Sequence, residues 1–246
     1  MTDKTKKVAI VTGASRGIGA AIAERLARDR FAVVVNYSAS AGPAEALVGK
    51  IKANGGSASA VRADVADPAS MRSMFEATEK AFGGIDALVN NAGIMTLAKV
   101  ADSDDAMLDR QIAVNLKGTF YGMREAARRM RNGGGIVNLS TSVVGTKLET
   151  YSIYAATKAA VETMTAILSK ELRGRNITVN AVAPGPVETE LFLEGKSPEL
   201  VERMAKMNPM ERLGTPEDIA SVVSFLLGSD GGWVNGQVLR ANGGMV

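Results

Sequence analysis

The chain has 246 residues, 46% hydrophobic and 22% charged, with 26 Gly, 7 Pro and a net charge of +3. That is the make-up of a globular protein with material for a large core, and it excludes a disordered chain. Zero Cys and zero His exclude disulfides, Cys/His metal sites and the Ser-His-Asp and Cys-His hydrolases, so proton chemistry falls to Tyr, Lys, Asp, Glu, Ser or Thr.

Taken in chain order, the charged start Met1–Lys7 followed by Val8–Val11 has the outline of a signal peptide, but Gly13 cuts the apolar run too short for one. No segment reaches the ~20 apolar residues of a membrane span, which predicts a soluble, cytoplasmic protein with no membrane partner. Lys and Arg are scattered among acidic residues, so no nucleic-acid partner is expected.

Short β-branched runs then alternate with longer amphipathic stretches. The pattern predicts strands at Lys7–Thr12, Ala32–Asn36, Ala58–Arg62, Ala87–Asn90, Gly135–Ser140, Thr178–Val182 and Gln237–Arg240. Between them it predicts helices at Gly17–Asp29, Pro43–Asn54, Pro68–Phe82, Ser103–Arg131, Ser152–Arg173 and Pro216–Leu227. This alternation is that of an α/β protein, a Rossmann-type, doubly wound parallel sheet of about seven strands with helices on both faces. Neither a repeat nor a low-complexity linker divides the chain, so one domain over residues 1–246 is expected. The stretch from Pro184 to about Pro209 breaks the alternation and is expected to form a lid over a site at the C-terminal edge of the sheet.

Thr12-Gly13-Ala14-Ser15-Arg16-Gly17-Ile18-Gly19 follows the first strand and opens the first helix. There, glycines let backbone approach a pyrophosphate and helix N–H groups face the anion. The spacing Gly-x-x-x-Gly-x-Gly departs from the Gly-x-Gly-x-x-Gly fingerprint. The second strand is followed by Asn36-Tyr37-Ser38 with no acid before Glu45. A carboxylate at that point would bind ribose hydroxyls and repel a 2′-phosphate, so its absence, with Arg16 and Ser38 as phosphate partners, favours NADP(H) over NAD(H). Tyr154 and Lys158 have a Tyr-x-x-x-Lys spacing that places both on one helix face, where a cation can stabilise a phenolate.

Together these motifs resemble the short-chain dehydrogenase/reductase superfamily, through the glycine loop, Asn90-Asn91-Ala92-Gly93, Asn115-Leu116-Lys117-Gly118, the Ser…Tyr-x-x-x-Lys arrangement and Pro184-Gly185-Pro186-Val187-Glu188-Thr189. The run from Thr178 to Gly244 is most similar to polyhydroxynaphthalene-reductase-like and 3-oxoacyl-carrier-protein-reductase-like members. The resemblance implies hydride exchange between a nicotinamide cofactor and a carbonyl or alcohol of a small organic substrate. It implies Tyr154 as acid, Lys158 as its cationic partner and Asn115 in a proton relay. A hydroxyl at the end of the fifth strand would orient the substrate oxygen: alignment through Val143-Val144-Gly145 selects Ser142, and ungapped alignment through the strand selects Thr141; Ser142 is the preferred choice. For the cofactor it implies Gly13, Ser15, Arg16, Gly17, Ile18 and Gly19; Asn36, Tyr37 and Ser38; Asp64 and Val65; Asn91, Ala92 and Gly93; Tyr154 and Lys158; and Pro184, Gly185, Val187 and Thr189. It also implies a homotetramer, paired through the helices expected at Ser103–Arg131 and Ser152–Arg173. The loop Lys147–Ile153 and the lid near Leu191–Met210 would read the substrate.

Overall fold

The computed structural model describes residues 6–246, so most of the charged start lies outside the described residues. Seven parallel strands form one sheet in the order β3-β2-β1-β4-β5-β6-β7. They are β1 (Val8–Val11), β2 (Ala32–Tyr37), β3 (Ser57–Arg62), β4 (Ala87–Asn90), β5 (Gly135–Leu139), β6 (Thr178–Pro184) and β7 (Val238–Ala241). The expected strands stand within two residues of these bounds. The reversal of strand order beside β1 opens a crevice at the C-terminal ends of β1 and β4, where open α/β sheets bind ligands.

Alternation along each buried strand divides the core into two layers. Ala9, Val11, Val33 and Val35 meet Ile22 and Leu26 of α1 (Gly17–Arg28), Leu47 and Ile51 of α2 (Ala41–Ala53) and Ile219 and Val223 of the helix Pro216–Leu227. Ile10, Val34, Leu88 and Ile136 face the other way, onto Met71 and Phe75 of α3 (Pro68–Phe82), Met123 and Leu168. Local chemistry sets several ends: the Asp67 carboxylate caps α3 just before Pro68, and Gly83 closes it at φ 79°.

The helix expected at Ser103–Arg131 runs without interruption from Asp105 to Arg129 in three stretches. They are α4 (Asp105–Gln111), a π-helical stretch Ile112–Lys117, and α5 (Gly118–Arg129). Periodicity did not reveal the π-helical stretch because the path stays helical and apolar residues continue through it. The fifth strand leads into a short helix α6 (Val143–Thr146), and α7 (Ser152–Glu171) follows. The expected lid holds two helices, α8 (Glu190–Leu193) and α9 (Pro198–Ala205), capped by the hydroxyls of Thr189 and Ser197; α10 is Pro216–Leu227. Among the described residues no helix is long and apolar enough to cross a membrane, and no cluster of His, Cys, Asp or Glu is placed to hold a metal ion.

Candidate active site

The glycine loop is shaped by close backbone approach. A Cβ on Gly13 would lie 2.8 Å from the Ala92 Cα, and one on Gly19 would lie 2.5 Å from both the Asn91 amide nitrogen and the Gly13 carbonyl. Gly13 and Gly17 also hold φ values of 61° and 56°, which disfavour side chains. The residue before the loop does more than the sequence pattern suggested. The Thr12 hydroxyl accepts the Asn91 and Ala92 N–H groups, each at 3.0 Å, while the Asn91 amide donates to the Thr12 and Gly13 carbonyls at 2.9 and 3.0 Å. The loop and the Asn-Asn-Ala-Gly turn are thus one cross-linked unit.

Asn36 lines the cleft but is 1% exposed. Its carbonyl oxygen accepts the Gly13 N–H at 3.1 Å, and its NH₂ donates to the Ala63 carbonyl at 3.1 Å. It therefore braces the loop, while Tyr37 and Ser38 extend past it along the cleft wall. Asp64 accepts the Ala66 N–H at 2.9 Å and shapes the turn after β3, and Val65 packs against Gly118. Arg16 does not stand free: its guanidinium pairs with Glu190 at 2.8 Å, both side chains being largely exposed.

Tyr154 and Lys158 lie one turn apart on α7, with the Lys158 nitrogen 5.9 Å from the Tyr154 ring centre. Lys158 is 3% exposed and donates to the Leu139 carbonyl at 2.7 Å. Burial disfavours the ammonium and lowers its pKa from 10.5 to about 8. Tyr154 is partly exposed along the cleft, and desolvation of its phenol raises the pKa to about 12, against a smaller opposite pull from the Thr141 hydroxyl and a further push from Tyr151. The Thr141 hydroxyl that pulls on the phenol also accepts the Val143 N–H at 3.3 Å. Ser142, preferred from the sequence, is turned away: its hydroxyl donates to the Ala183 carbonyl at 3.2 Å and accepts from the Asn242 amide at 2.9 Å. Residues 141 and 142 lie where β5 gives way to α6, so neighbouring hydroxyls point to different surroundings.

Asn115 sits inside the π-helical stretch, fully buried. Its carboxamide accepts the Ile94 N–H and donates to the Ile94 carbonyl, both at 2.9 Å, and reaches Thr157 at 3.4 Å. One turn earlier Gln111, also fully buried and not singled out by the sequence, donates to the Thr96 carbonyl at 3.0 Å. These two amides stitch residues 94–96 along the helix. A Cβ on Gly93 would lie 3.3 Å from the Asn115 carbonyl oxygen and 3.6 Å from the Lys158 nitrogen, so Gly93 lets these groups approach.

The Pro184–Thr189 segment closes the third side. A Cβ on Gly185 would meet the Asn242 Cα at 2.9 Å, Val187 is buried, and the Thr189 side chain packs against Gly17. The result is a cleft of about 760 Å³ that runs from Ser38 and Asp64, past the glycine loop, to Tyr154 and the lid. Of the residues expected at the site, Asn115 alone is absent from its lining; it stands behind the cleft, bonded to Ile94.

A Rossmann-type sheet with a glycine loop at its switch point and a Tyr–Lys pair on the next-door helix defines a class of dinucleotide-dependent proteins. Comparison with known proteins agrees: a family model described as enoyl-(acyl carrier protein) reductase matches residues 13–246. A short-chain type dehydrogenase/reductase of Picea abies is 47% identical over 98% of this chain and 92% of its own. NADPH-dependent aldehyde reductase 2, chloroplastic, of Arabidopsis thaliana is 46% identical over 97% of this chain and 93% of its own. Among solved structures, a short-chain dehydrogenase from Burkholderia cenocepacia in complex with NADP superposes with a TM-score of 0.93 at 37% identity, covering 99% of both chains. The chain belongs to the short-chain dehydrogenase/reductase superfamily.

Proposed function

We propose that this protein is a single-domain, NADP(H)-dependent carbonyl reductase whose acid is Tyr154. The observation that carries the proposal is the convergence of the Tyr154 phenol, the Thr141 hydroxyl and the buried Lys158 ammonium at one end of a cleft whose other end is a glycine cradle. The cradle fits a dinucleotide, because no side chain caps the start of α1 and no acid stands in its first turn, which leaves its first N–H groups to face a pyrophosphate. Gly13, Ser15, Gly17, Ile18 and Gly19 would hold the pyrophosphate, Asp64 and Val65 the adenine end, and Asn91–Gly93 the floor. Lys158, Pro184, Gly185, Val187 and Thr189 would hold the nicotinamide end. Arg16, Tyr37 and Ser38 would face the ribose phosphate, in keeping with the NADPH-dependent Arabidopsis relative and the NADP-bound Burkholderia structure. When bound, the nicotinamide supplies the hydride that reduces the carbonyl carbon.

The chain's own residues handle the oxygen. Thr141 orients it, and Tyr154 gives it a proton as negative charge develops. A phenol with a pKa near 12 is protonated at neutral pH, as a donor must be. The Lys158 ammonium favours the phenolate left behind, and Asn115, which with Lys158 flanks Gly93, would belong to the relay that returns the proton. Met95, Leu148, Tyr151, Phe192, Met204 and Met245 line the cleft beyond Tyr154 and suit an apolar carbonyl compound. The test is to follow nicotinamide absorbance with NADPH and with NADH against a panel of aldehydes, ketones and quinones. NADPH oxidation with at least one carbonyl class is expected; no oxidation of either cofactor by any of them overturns the proposal.

A further inference from the structure

Arg16 faces two prospective anions. The proposed function gives it the ribose 2′-phosphate, beside Tyr37 and Ser38; the structure gives it Glu190, at 2.8 Å. Both partners line the same cleft, and Glu190 opens α8 in the lid immediately after Thr189, which rests against Gly17. Arg16 reaches Glu190 through Nη1, and a second anion on the same guanidinium stands close to the Glu190 charge. A phosphate brought to it either displaces the Glu190 carboxylate or shares Arg16 with a like charge.

We propose that Glu190 is a cofactor-selecting residue, a carboxylate that competes with the ribose 2′-phosphate for Arg16 and so limits the affinity gained from that phosphate. The inference rests on the NADP(H) assignment above. A cofactor with a 2′-hydroxyl makes no such demand on Arg16 and leaves the Arg16–Glu190 pair, which ties the glycine loop to the lid, in place. Glu190 thereby narrows the gap between the two cofactors and loosens the phosphorylated one.

The size of the effect follows from exposure. The two side chains are 72% and 77% exposed, and exposed ion pairs are weak and screened by salt. Removing the competitor should therefore change affinity by about two- to fivefold, not by orders of magnitude.

Isothermal titration of the full-length chain with NADP⁺ and NAD⁺, at low and fixed ionic strength, tests this without turnover. Glu190→Gln is expected to tighten NADP⁺ two- to fivefold and leave NAD⁺ unchanged, whereas Glu194→Gln, a charge change on the same lid with no contact to Arg16, should shift neither. In an Arg16→Ala background, the Glu190→Gln gain should vanish. Unchanged or weaker NADP⁺ binding by Glu190→Gln overturns the inference, as does an equal gain for NAD⁺ or a gain that survives Arg16→Ala. If wild type binds both cofactors equally and Arg16→Ala changes neither, the NADP(H) assignment itself fails, and this inference with it. If wild type prefers NADP⁺ through Arg16 while Glu190→Gln has no effect, only this inference fails.

Discussion

Tyr154 is held in an environment that keeps its proton, and the consequences can be measured one side chain at a time. Tyr154→Phe keeps the ring and removes the acid, so turnover should fall by about 10²-fold or more while NADP⁺ affinity by titration stays near wild type. Near-wild-type turnover would remove Tyr154 from the mechanism. Thr141 and Ser142 separate in the same assay. Thr141→Val should lower kcat by about 10²-fold, the scale for losing one oriented donor at a developing oxyanion. Ser142→Ala, which loosens Asn242, should act mainly on stability; the reverse ranking would restore the serine. Lys158 links activity to pH. With its pKa lowered to about 8, reduction should decline as pH rises through that value and the cation is lost. Its stability effect has the opposite sense. Between about 8 and 10.5 the unfolded chain holds the proton that the folded chain releases, so this group adds stability as pH rises and withdraws it as pH falls. Lys158→Met should therefore raise the melting temperature at pH 7 and abolish turnover, with the stability gain shrinking toward pH 10.

At the scale of elements, the π-helical stretch Ile112–Lys117 is what brings Asn115 to bear. A π turn fits one extra residue into a helix and shifts the faces on either side. Here Gln111 and Asn115 both reach the backbone of residues 94–96, while α5 beyond the stretch still packs Met123 and Ala126 into the core. Asn115→Leu preserves volume and leaves the Ile94 N–H and C=O without partners. It should lower kcat more than it raises KM for NADPH and destabilise the fold by about 1–3 kcal/mol, read by denaturant unfolding. Unaltered kcat would show that Asn115 plays no part in the reaction. The stretch was not legible in the sequence because the apolar pattern continues through it, whereas the strands were, since runs such as Val33–Val35 and Ile136–Val137 are buried on both faces and carry no competing period. The lid lies between these cases. Its length and prolines were readable, but α8 and α9 are short helices set by the Thr189 and Ser197 caps.

For the molecule as a whole, the proposal is a homo-oligomer, with a tetramer as the expected form. Phe120 on α5 is 45% exposed and Ile167 on α7 is 51% exposed, on the two helices expected to pair; Trp233, just before β7, is 99% exposed. Large apolar side chains left open in this way suit a protein contact. Light scattering at micromolar concentration should give a mass several times that of one chain. A single-chain mass would reject the oligomer and leave the chemistry of the cleft untouched.

The sequence by itself determined the sheet, the glycine loop and the Tyr154–Lys158 pair. Those features rest on local causes: β-branched runs, glycine where backbone must approach backbone, and a four-residue spacing that any helix turns into one face. It also limited which chemistry was open, since a chain without His or Cys leaves proton transfer to Tyr, Lys, carboxylates and hydroxyls. Only the tertiary structure decided that the Ser142 hydroxyl bonds Ala183 and Asn242, that Asn36 braces the loop from a buried position, and that Arg16 reaches Glu190, 174 residues away in the chain. Each of these is a choice among hydrogen-bonding partners from distant segments, and composition and period do not encode which partner arrives. Burial then fixed the energetics: the shifts that keep Tyr154 protonated and bring Lys158 to about 8 arise from the packing of the sheet edge, α7 and the lid around them.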